Sequence, residues 1–362
     1  MTIDELLSLE INKPSEEVFK KSREKWDAIA KPIDGLGDFE DMVSKIAGIQ
    51  KRVCPDLSKK AHIIMCADNG VFEEGVSQTS QRVTYDVAKL MGERKSSVGS
   101  MTKGYPLDFF VYDVGINSED TPEGVINAKI RKGTGNFVKG PAMEIRECLL
   151  AIETGINAVK RCHEEGYGII STGEMGIGNT TTSTALLCVL EGLSPSDYTG
   201  KGAGLTESGL KKKTEVIEKG ISLCNMEMTA AGEISKEEIL RVLSFLGGLD
   251  IAALTGVFIG GALYGIPVVI DGLISAVAAF IAEKLLPGCR DYMLPSHMGR
   301  EKGMTIIMCE MGLKPVINAD LALGEGTGAV LLFPMLDMVM SLYGEGTSFE
   351  DTVIDQYERY DT

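Results

Sequence analysis

The stretch Ile169-Ile-Ser-Thr-Gly-Glu-Met-Gly-Ile-Gly-Asn-Thr-Thr-Thr-Ser-Thr-Ala-Leu-Leu187 decides the fold, because its two halves favour different structures. Residues Tyr167 to Thr172 form a short apolar, β-branched run bounded by glycines, which predicts a buried strand. Residues Thr184 to Leu190 are small or leucine-rich, which indicates a helix. We therefore expect a strand that passes through a glycine turn into a helix.

The turn between the two halves carries Gly173, Gly176 and Gly178. Glycines let main-chain N–H groups approach a ligand, and the start of a helix presents unpaired N–H groups and a positive dipole end to an anion. Residues Asn179 to Thr182 add side-chain donors, so the turn predicts a phosphate site. No Gly-Lys-Ser/Thr follows, and the glycine spacing differs from the dinucleotide fingerprint. A strained strand-to-helix turn capped by threonines is the alternative.

The composition is that of an ordinary soluble globular protein. Its 362 residues, 44% of them hydrophobic, suffice for one large core or for a large domain with a small companion. Acidic side chains outnumber basic ones by 52 to 36, and the net charge of −16 opposes binding to nucleic acid or anionic membranes. The eight cysteines are scattered without the spacing of a metal site, which is typical of a reduced, cytoplasmic protein.

One segment, residues 251 to 270, carries no charge and is long enough to cross a membrane. Four glycines and Pro267 interrupt it, and Asp250 and Asp271 flank it. A buried helix followed by a buried strand is therefore the better interpretation. The acidic N-terminus lacks the basic region of a secretory signal. We expect neither membrane insertion nor export.

Strand, polar or glycine loop, and helix alternate about six times along the chain. This rhythm predicts an α/β protein with a mostly parallel, six-stranded, Rossmann-like sheet and helices on both faces. The sequence leaves the order of the strands open. The expected strands are residues 62–68, 108–114, 167–172, 268–271, 291–294 and 316–323.

Polar residues follow the expected strands, and the carboxyl ends of parallel strands share one edge, where ligands bind. Glu174 and Glu325 lie there in glycine-rich turns. One lysine of Lys211 to Lys213 could reach a phosphate, although a solvated basic face is the simpler explanation of this run alone. A phosphate site and an isolated carboxylate, without an acidic cluster for Mg²⁺, suit phosphoribosyl transfer without a metal or another cofactor. The polar residues at the strand ends are Asp68-Asn69, Asp113, Glu174, Asp271, Ser296-His297 and Glu325.

Motifs spread over nearly the whole chain are, in their order and spacing, specific to one family. They are Lys31-Pro with Gly35-Leu-Gly, Met65-Cys-Ala-Asp-Asn-Gly-Val, Glu74-Gly-Val, Val111-Tyr-Asp-Val-Gly, Gly140-Pro-Ala-Met, Gly173-Glu-Met-Gly-Ile-Gly-Asn-Thr-Thr, Asp271-Gly, Pro295-Ser-His, Glu301-Lys-Gly and Leu323-Gly-Glu-Gly-Thr-Gly-Ala. The chain thereby resembles the nicotinate-nucleotide:dimethylbenzimidazole phosphoribosyltransferases, which make the lower-ligand nucleotide of cobamides.

The resemblance implies that the ribosyl phosphate of nicotinate mononucleotide passes to a nitrogen of 5,6-dimethylbenzimidazole or a related base. The sugar carbon inverts, and the products are nicotinate and an α-ribosyl nucleotide. Glu325 matches the family's general base, which takes the N–H proton of the acceptor. The resemblance places on the phosphate and ribose side Glu174, Gly176, Gly178, Asn179, Thr180, Gly202 and Lys213. It places on the base side Thr79, Val87, Met175, Gly299 and Gly324.

The sequence departs from the family on the base side. Where benzimidazole-using relatives carry Ser, Gln and Ser, this chain has Thr79, Val87 and Gly299, and Asn69 replaces the usual His. A less polar pocket weakens the case for dimethylbenzimidazole as the sole acceptor, so a purine or phenolic acceptor on the same fold stays open.

The resemblance also implies an assembly and a domain division. A small helical domain would be built from both chain ends, residues 1–60 and 330–362, beside an α/β catalytic domain of residues 61–329. It implies a homodimer with small-molecule substrates and no nucleic-acid or membrane partner.

Two other classes of function remain as rivals. A non-catalytic nucleotide-binding regulator would need only the phosphate site, and Glu325 would then be a turn residue without a catalytic role. A nucleotide-dependent oxidoreductase is disfavoured, because the dinucleotide spacing is missing.

Overall fold

The computed structural model describes residues 1–202, 204–228 and 232–359. The strands are β1 (Lys60–Ala67), β2 (Asp108–Gly115), β3 (Ile126–Asn127), β4 (Ile169–Met175), β5 (Val268–Ile270), β6 (Met293–Pro295), β7 (His297–Gly299) and β8 (Ile317–Leu321). The α-helices are α1 (Ile3–Leu7), α2 (Glu16–Ala28), α3 (Asp38–Gln50), α4 (Arg82–Gly92), α5 (Ser97–Met101), α6 (Ile145–Glu164), α7 (Asn179–Glu191), α8 (Pro195–Tyr198), α9 (Glu207–Cys224), α10 (Lys236–Leu246), α11 (Leu249–Tyr264), α12 (Leu273–Leu285), α13 (Lys302–Met311) and α14 (Thr327–Glu345).

Six strands form one sheet in the order β3-β2-β1-β4-β5-β6, and every neighbouring pair is parallel. The prediction of a parallel six-stranded α/β fold is confirmed. The order reverses direction between β1 and β4, so the crevice outside the carboxyl ends of these two strands is the expected ligand site.

The membership of the sheet differs from the prediction at one strand. The run at residues 316–323 does form a strand, β8, but β8 pairs with β7 in a separate two-stranded sheet. The sixth strand of the main sheet is instead β3, two residues long, which pairs with β2. So short a strand has no readable periodicity, whereas β8 carries the apolar character of a strand without belonging to the main sheet.

Successive side chains of β1 point to opposite faces of the sheet, where they meet two separate apolar cores. Ile63 and Met65 belong to the core that includes residues of α6, α11 and α12. Ile64 and Cys66 belong to the core that includes residues of α3, α4 and α14. Both faces of the sheet are therefore covered by helices, which explains why all eight residues of β1 are buried.

The uncharged segment at residues 251–270 forms most of α11 and all of β5, and both are buried in the core, as predicted. In the described part of the chain, α14 is the one helix whose length and apolar composition would let it cross a membrane. Half of that apolar window is buried inside the protein, a property that core helices share.

The two ends of the chain lie against each other. Ile29 and Ser348 form an isolated antiparallel bridge. The rings of Trp26, on α2, and Tyr343, on α14, pack with centroids 4.6 Å apart. Arg359 donates to the carboxylate of Asp27, with Nε 2.7 Å from Oδ2. The first helices and the last helix thus contact each other across most of the sequence.

Candidate active site

The loop from β4 to α7 lies against the end of β1, and this packing requires glycine. A Cβ on Gly176 would overlap the carbonyl oxygen of Ala67 and stand 2.5 Å from Oδ2 of Asp250. Gly178 caps α7 in a left-handed conformation, with φ +100°, and a Cβ there would stand 3.1 Å from Cβ of Asn69. The glycines therefore bring the start of α7 to the crevice between β1 and β4.

Some main-chain donors of this turn are already used within it. The N–H of Asn179 donates to the carbonyl of Gly176 over 3.1 Å, and the N–H of Thr181 donates to that of Gly178 over 3.0 Å. The main-chain N–H groups that were predicted to bind a phosphate are therefore partly used by hydrogen bonds within the turn. An anion here needs further donors, which side chains supply.

Lys213 supplies the strongest of these donors. Its side chain is 1% exposed, and Nζ donates to Thr180 Oγ1 over 2.9 Å and to the carbonyl of Gly200 over 3.1 Å. Both acceptors are neutral, and burial lowers the pKa of Lys213 to about 8. The charge of Glu301 opposes part of this lowering of the pKa. An ammonium group whose hydrogen-bond acceptors are all neutral is still costly to bury, so this arrangement suits an arriving anion.

The neighbouring residues separate Lys213 from the rest of its basic run. A Cβ on Gly202 would stand 3.5 Å from Lys213 Nζ, so this glycine adjoins the ammonium group. Lys211, in contrast, is 81% exposed at its side chain and pairs with Glu215. One lysine of the run faces the site, and Lys211 belongs to a solvated face.

A buried network of carboxyl and amide groups forms the floor of the site. Asn179 Nδ2 donates to Glu174 Oε2 and, over 3.1 Å, to Asp250 Oδ2. Asn69 receives a hydrogen bond from Thr182 Oγ1 at Oδ1 over 3.0 Å. Burial raises the pKa of Glu174 to about 8 and that of Asp250 to about 6. Glu174 therefore keeps its proton to a higher pH than an ordinary carboxyl does, and in its protonated form it can donate its O–H to an oxygen of a ligand.

Glu325 lies in a turn between β8 and α14 whose three residues are all left-handed. The φ angles are +89° for Gly324, +60° for Glu325 and +77° for Gly326. The carbonyl of Glu325 accepts from His62 Nε2 over 2.9 Å, and its carboxylate oxygen Oε2 accepts from the N–H of Val98 over 2.8 Å. The other carboxylate oxygen, Oε1, receives no hydrogen bond from the described residues.

A central cavity joins most of these groups. It is lined on the phosphate side by residues 174–180 and Gly202, and on the opposite side by Asp271, His297, Glu301 and residues 321–324. Glu325 and Lys213 lie just behind this lining, next to Gly324 and Thr180. A Cβ on Gly324 would stand 3.2 Å from Glu174 Oε1, so the turn of Glu325 approaches the phosphate side.

The predicted base-binding residues divide into two groups. Met175 and Gly324 line the cavity, whereas Thr79, Val87 and Gly299 do not. Thr79 is exposed, and Ser77 and Gln78 of the same loop line the cavity instead. Gly299 is close to the lining, because a Cβ there would stand 3.4 Å from Glu301 Oε2.

The structure adds residues that the sequence did not single out. Asp250 joins the network from the first turn of α11, and the preceding Gly248 is required, because a Cβ there would overlap Asp250 Oδ1. The signal was an acidic residue at the start of an otherwise apolar helix. His62, buried in β1, contacts Glu325. A single histidine in an apolar strand gives no signal of its own.

His297 is the one Lys, Arg or His side chain that lines the cavity in the described chain. Ser296 Oγ donates to the carbonyl of Ile270 over 2.6 Å, so its 2.9 Å contact with His297 Nδ1 is a hydrogen bond donated by the ring. Nε2 then remains available to a ligand. Among the described residues no group of three or more His, Cys, Asp and Glu side chains could hold a metal ion.

Comparisons with known proteins give one consistent result. A family model described as "Phosphoribosyltransferase" matches residues 11–354. The chain is 42% identical over 358 residues to the nicotinate-nucleotide–dimethylbenzimidazole phosphoribosyltransferase of Ruminiclostridium cellulolyticum, and 40% identical over 358 residues to that of Clostridium acetobutylicum. Each alignment covers 99% of both chains.

A solved structure agrees. The crystal structure of CobT from Thermus thermophilus superposes with a TM-score of 0.86 at 34% identity, covering 94% of this chain and 100% of that one. The resemblance seen in the sequence motifs is confirmed, and the chain belongs to the nicotinate-nucleotide–dimethylbenzimidazole phosphoribosyltransferase family.

Proposed function

We propose that this chain transfers the ribosyl phosphate of nicotinate mononucleotide to 5,6-dimethylbenzimidazole or a related lower-ligand base. The products are nicotinate and an α-ribosyl nucleotide, α-ribazole phosphate when the acceptor is dimethylbenzimidazole. The observation that carries the proposal is the buried ammonium group of Lys213, whose hydrogen-bond acceptors, the Thr180 hydroxyl at the start of α7 and the Gly200 carbonyl, are both neutral. Family membership supports the choice of substrates.

The phosphate side binds the donor nucleotide. Lys213 and the Thr180 hydroxyl contact the phosphate next to Gly202, where a Cβ would crowd both groups. Gly176 and Gly178 let the turn pack closely against Ala67 and Asn69, which brings the start of α7 to the site. Glu174, protonated near neutral pH because burial raises its pKa to about 8, donates to an oxygen of the phosphate or ribose. A neutral acid at this position avoids the repulsion that a carboxylate would exert on phosphate.

The chemical step needs a base and no acid. The bond between the ribose C1′ and the pyridinium nitrogen breaks, its electron pair stays on that nitrogen, and nicotinate leaves with a neutral ring. The acceptor nitrogen attacks C1′ from the opposite face, so the configuration inverts. As the acceptor ring becomes cationic it loses its N–H proton, which Glu325 accepts.

The contacts of Glu325 favour this role. The Val98 N–H holds Oε2 in place, which leaves Oε1 for the proton of the acceptor. A positioned base of this kind contributes about 10²- to 10⁴-fold to the rate. The backbone of the turn is constrained as well, by the hydrogen bond from His62.

More than one class of acceptor base is compatible with the proposed function. Val87, Thr79 and Gly299 offer fewer hydrogen-bonding groups than the Ser, Gln and Ser of benzimidazole-using relatives, so purine or phenolic acceptors belong to the same hypothesis. Incubation with nicotinate mononucleotide and a panel of benzimidazole, adenine and phenol acceptors, with free nicotinate as the readout, tests the function. Release with at least one acceptor is expected. No release with any acceptor, despite binding of the nucleotide, would favour the regulator.

We also propose that the active form is a homodimer in the cytoplasm. Leu331, Met335 and Met338 share one face of α14 and are 37%, 38% and 77% exposed. A row of exposed apolar side chains is typical of a protein interface. Light scattering coupled to gel filtration should give the mass of two chains. A monomer at micromolar concentration would contradict this part of the proposal.

The division into domains remains part of the proposal. Contacts between the chain ends, such as the Trp26–Tyr343 ring pair, support a helical unit made from residues 1–60 and 330–362. The last three residues of that range lie outside the described residues.

A further inference from the structure

His62 is a buried histidine that connects the sheet to the turn of Glu325. It lies in β1 and is 0% exposed. Its Nδ1 is 2.8 Å from Ser171 Oγ on the neighbouring strand β4, and its Nε2 is 2.9 Å from the carbonyl oxygen of Glu325. Burial lowers the pKa of His62 to about 4, so the ring is neutral over the range in which an enzyme of this kind works.

The direction of both hydrogen bonds follows from these contacts. A carbonyl oxygen only accepts, so Nε2 carries the single proton of the neutral ring and donates it to Glu325. Nδ1 then has a lone pair and accepts from the Ser171 hydroxyl. Hydrogen bonds thus run from the Ser171 hydroxyl to His62 Nδ1 and from His62 Nε2 to the Glu325 carbonyl, and together they fix one tautomer of the His62 ring.

The packing around the ring leaves it no freedom to shift. A Cβ on Gly326 would overlap His62 Cε1, and a Cβ on Gly173 would stand 2.9 Å from the same atom. Phe109 contacts the ring edge-on, with centroids 5.1 Å apart. The ring is thus clamped between Gly173 of β4 and the glycine turn that carries Glu325.

The turn itself needs to be held. Glu325 has a φ of +60°, a conformation that side-chain-bearing residues adopt rarely and that costs free energy. The hydrogen bond from His62 orients the peptide that follows Glu325, while the Val98 N–H orients its carboxylate. The backbone and the side chain of the residue are therefore anchored from two different elements, β1 and α5.

We propose that His62 is a positioning residue for the reaction: by donating Nε2–H to the Glu325 carbonyl, it keeps the left-handed turn in the one orientation that directs the carboxylate to the acceptor. This inference rests on the proposed function. A histidine that only filled space would gain nothing over an apolar side chain, since a buried polar group costs free energy unless its bonds are used.

A matched pair of variants tests the role. In His62→Gln, the amide nitrogen reaches roughly the place of Nε2 and can still donate to the Glu325 carbonyl. In His62→Asn, the shorter amide reaches only the place of Nδ1, so the donor to Glu325 is lost. Both variants remove the ring, and thermal unfolding of each measures the loss of packing, which should be somewhat larger for the shorter Asn.

We expect kcat to fall on the order of 10- to 100-fold in His62→Asn, which is the scale of a misplaced catalytic group, and to stay within about 3-fold of wild type in His62→Gln. KM for nicotinate mononucleotide should hardly change in either, because the phosphate site lies on β4, α7 and α9. Equal kcat values in the two variants, or a loss that appears in KM instead, would overturn the proposal.

A measurement on the unaltered protein covers the case in which the variants do not fold. The chain has three histidines, so ¹⁵N-labelled imidazoles are readily resolved. His62 should show the neutral Nε2–H tautomer at every pH above about 5, given its pKa of about 4. An Nδ1–H tautomer, or titration near the usual pKa of about 6.5, would contradict the role. Failure of the wild type to release nicotinate would instead refute the proposed function and leave the tautomer result standing.

Discussion

The phosphate side and the acceptor side of the site are built differently. On the phosphate side Glu174, Asn179 and Lys213 are all at least nine-tenths buried and are tied to neighbours by hydrogen bonds within one chain. On the acceptor side Thr79 is exposed and Val87 is half-buried, and neither lines the cavity. Under the proposed function, the donor nucleotide would meet a preformed pocket, whereas Thr79 and Val87, which the resemblance assigns to the acceptor, lie outside the cavity. Substitutions on the phosphate side should alter the affinity for the donor nucleotide. Substitutions on the acceptor side should alter which acceptor base is preferred.

Substitution of Glu325, which lies between the phosphate side and the acceptor side, should have the largest effect on kcat. Glu325→Gln keeps the size of the side chain and can still accept from the Val98 N–H, but it cannot take a proton. We expect kcat to fall about 10²- to 10⁴-fold in steady-state assays of nicotinate release. The Kd for nicotinate mononucleotide, measured by calorimetry, should stay within a few-fold of wild type. Unchanged turnover would remove Glu325 as the base.

Lys213→Ala should have the second-largest effect, a weaker binding of the donor nucleotide. The variant loses a buried charged donor at Thr180, so KM for nicotinate mononucleotide should rise roughly 10- to 100-fold, the worth of one hydrogen bond to a charged group. Lys211→Ala is the control, since that side chain is exposed and paired with Glu215. Equal KM values in the two variants would show that the buried Lys213 does not contact the phosphate.

The affinity for the donor nucleotide should depend on pH through two titrating groups of the phosphate side. Lys213, with a pKa of about 8, is charged below pH 8 and neutral above it. Glu174, also with a pKa of about 8, is neutral below pH 8 and negative above it. Both changes disfavour a phosphate as the pH rises.

We therefore expect kcat/KM for nicotinate mononucleotide to drop about 100-fold between pH 7 and pH 9, because each of the two groups loses a required proton near pH 8 and contributes about 10-fold. The drop should be shallower in Lys213→Ala, which has one titrating group fewer. A flat wild-type profile across pH 8 would show that neither group controls binding.

The smallest effect is expected on the acceptor side. Val87→Gln and Gly299→Ser introduce the polar residue types that the sequence resemblance implies for benzimidazole-using relatives, and a Cβ on Gly299 meets only ordinary contacts at 3.4 Å or more. Each should shift the ratio of kcat/KM between acceptors by about 2- to 10-fold, the worth of one neutral hydrogen bond. KM for nicotinate mononucleotide should not move. A change in that KM would place the residue on the phosphate side.

The sequence predicted the parts of this molecule that depend on local patterns. The alternation of strands and helices and the glycine turn before Asn179 could be read directly, and Lys213 was separated from its neighbours by the family resemblance. Each strand, each helix and the glycine turn is encoded within about twenty consecutive residues, whereas the assignment of Lys213 came from motifs along nearly the whole chain.

The parts it could not predict depend on contacts between distant segments. His62 and Glu325 are separated by 263 positions and Asn69 and Asp250 by 181, so no periodicity connects them. The two-residue strand β3 exists only because β2 offers it an edge. The partial use of the amides at the start of α7 is a matter of turn geometry, which glycine content alone does not reveal.

The most direct test of the central claim is the crystal structure of Glu325→Gln briefly soaked with nicotinate mononucleotide and 5,6-dimethylbenzimidazole and then frozen, since this variant should react slowly enough for both substrates to be trapped. We predict the phosphate against Thr180 and Lys213, and the side-chain oxygen of residue 325 about 2.6–3.2 Å from the azole nitrogen that carries the proton. A phosphate bound elsewhere, or an azole ring out of reach of residue 325, would contradict the account.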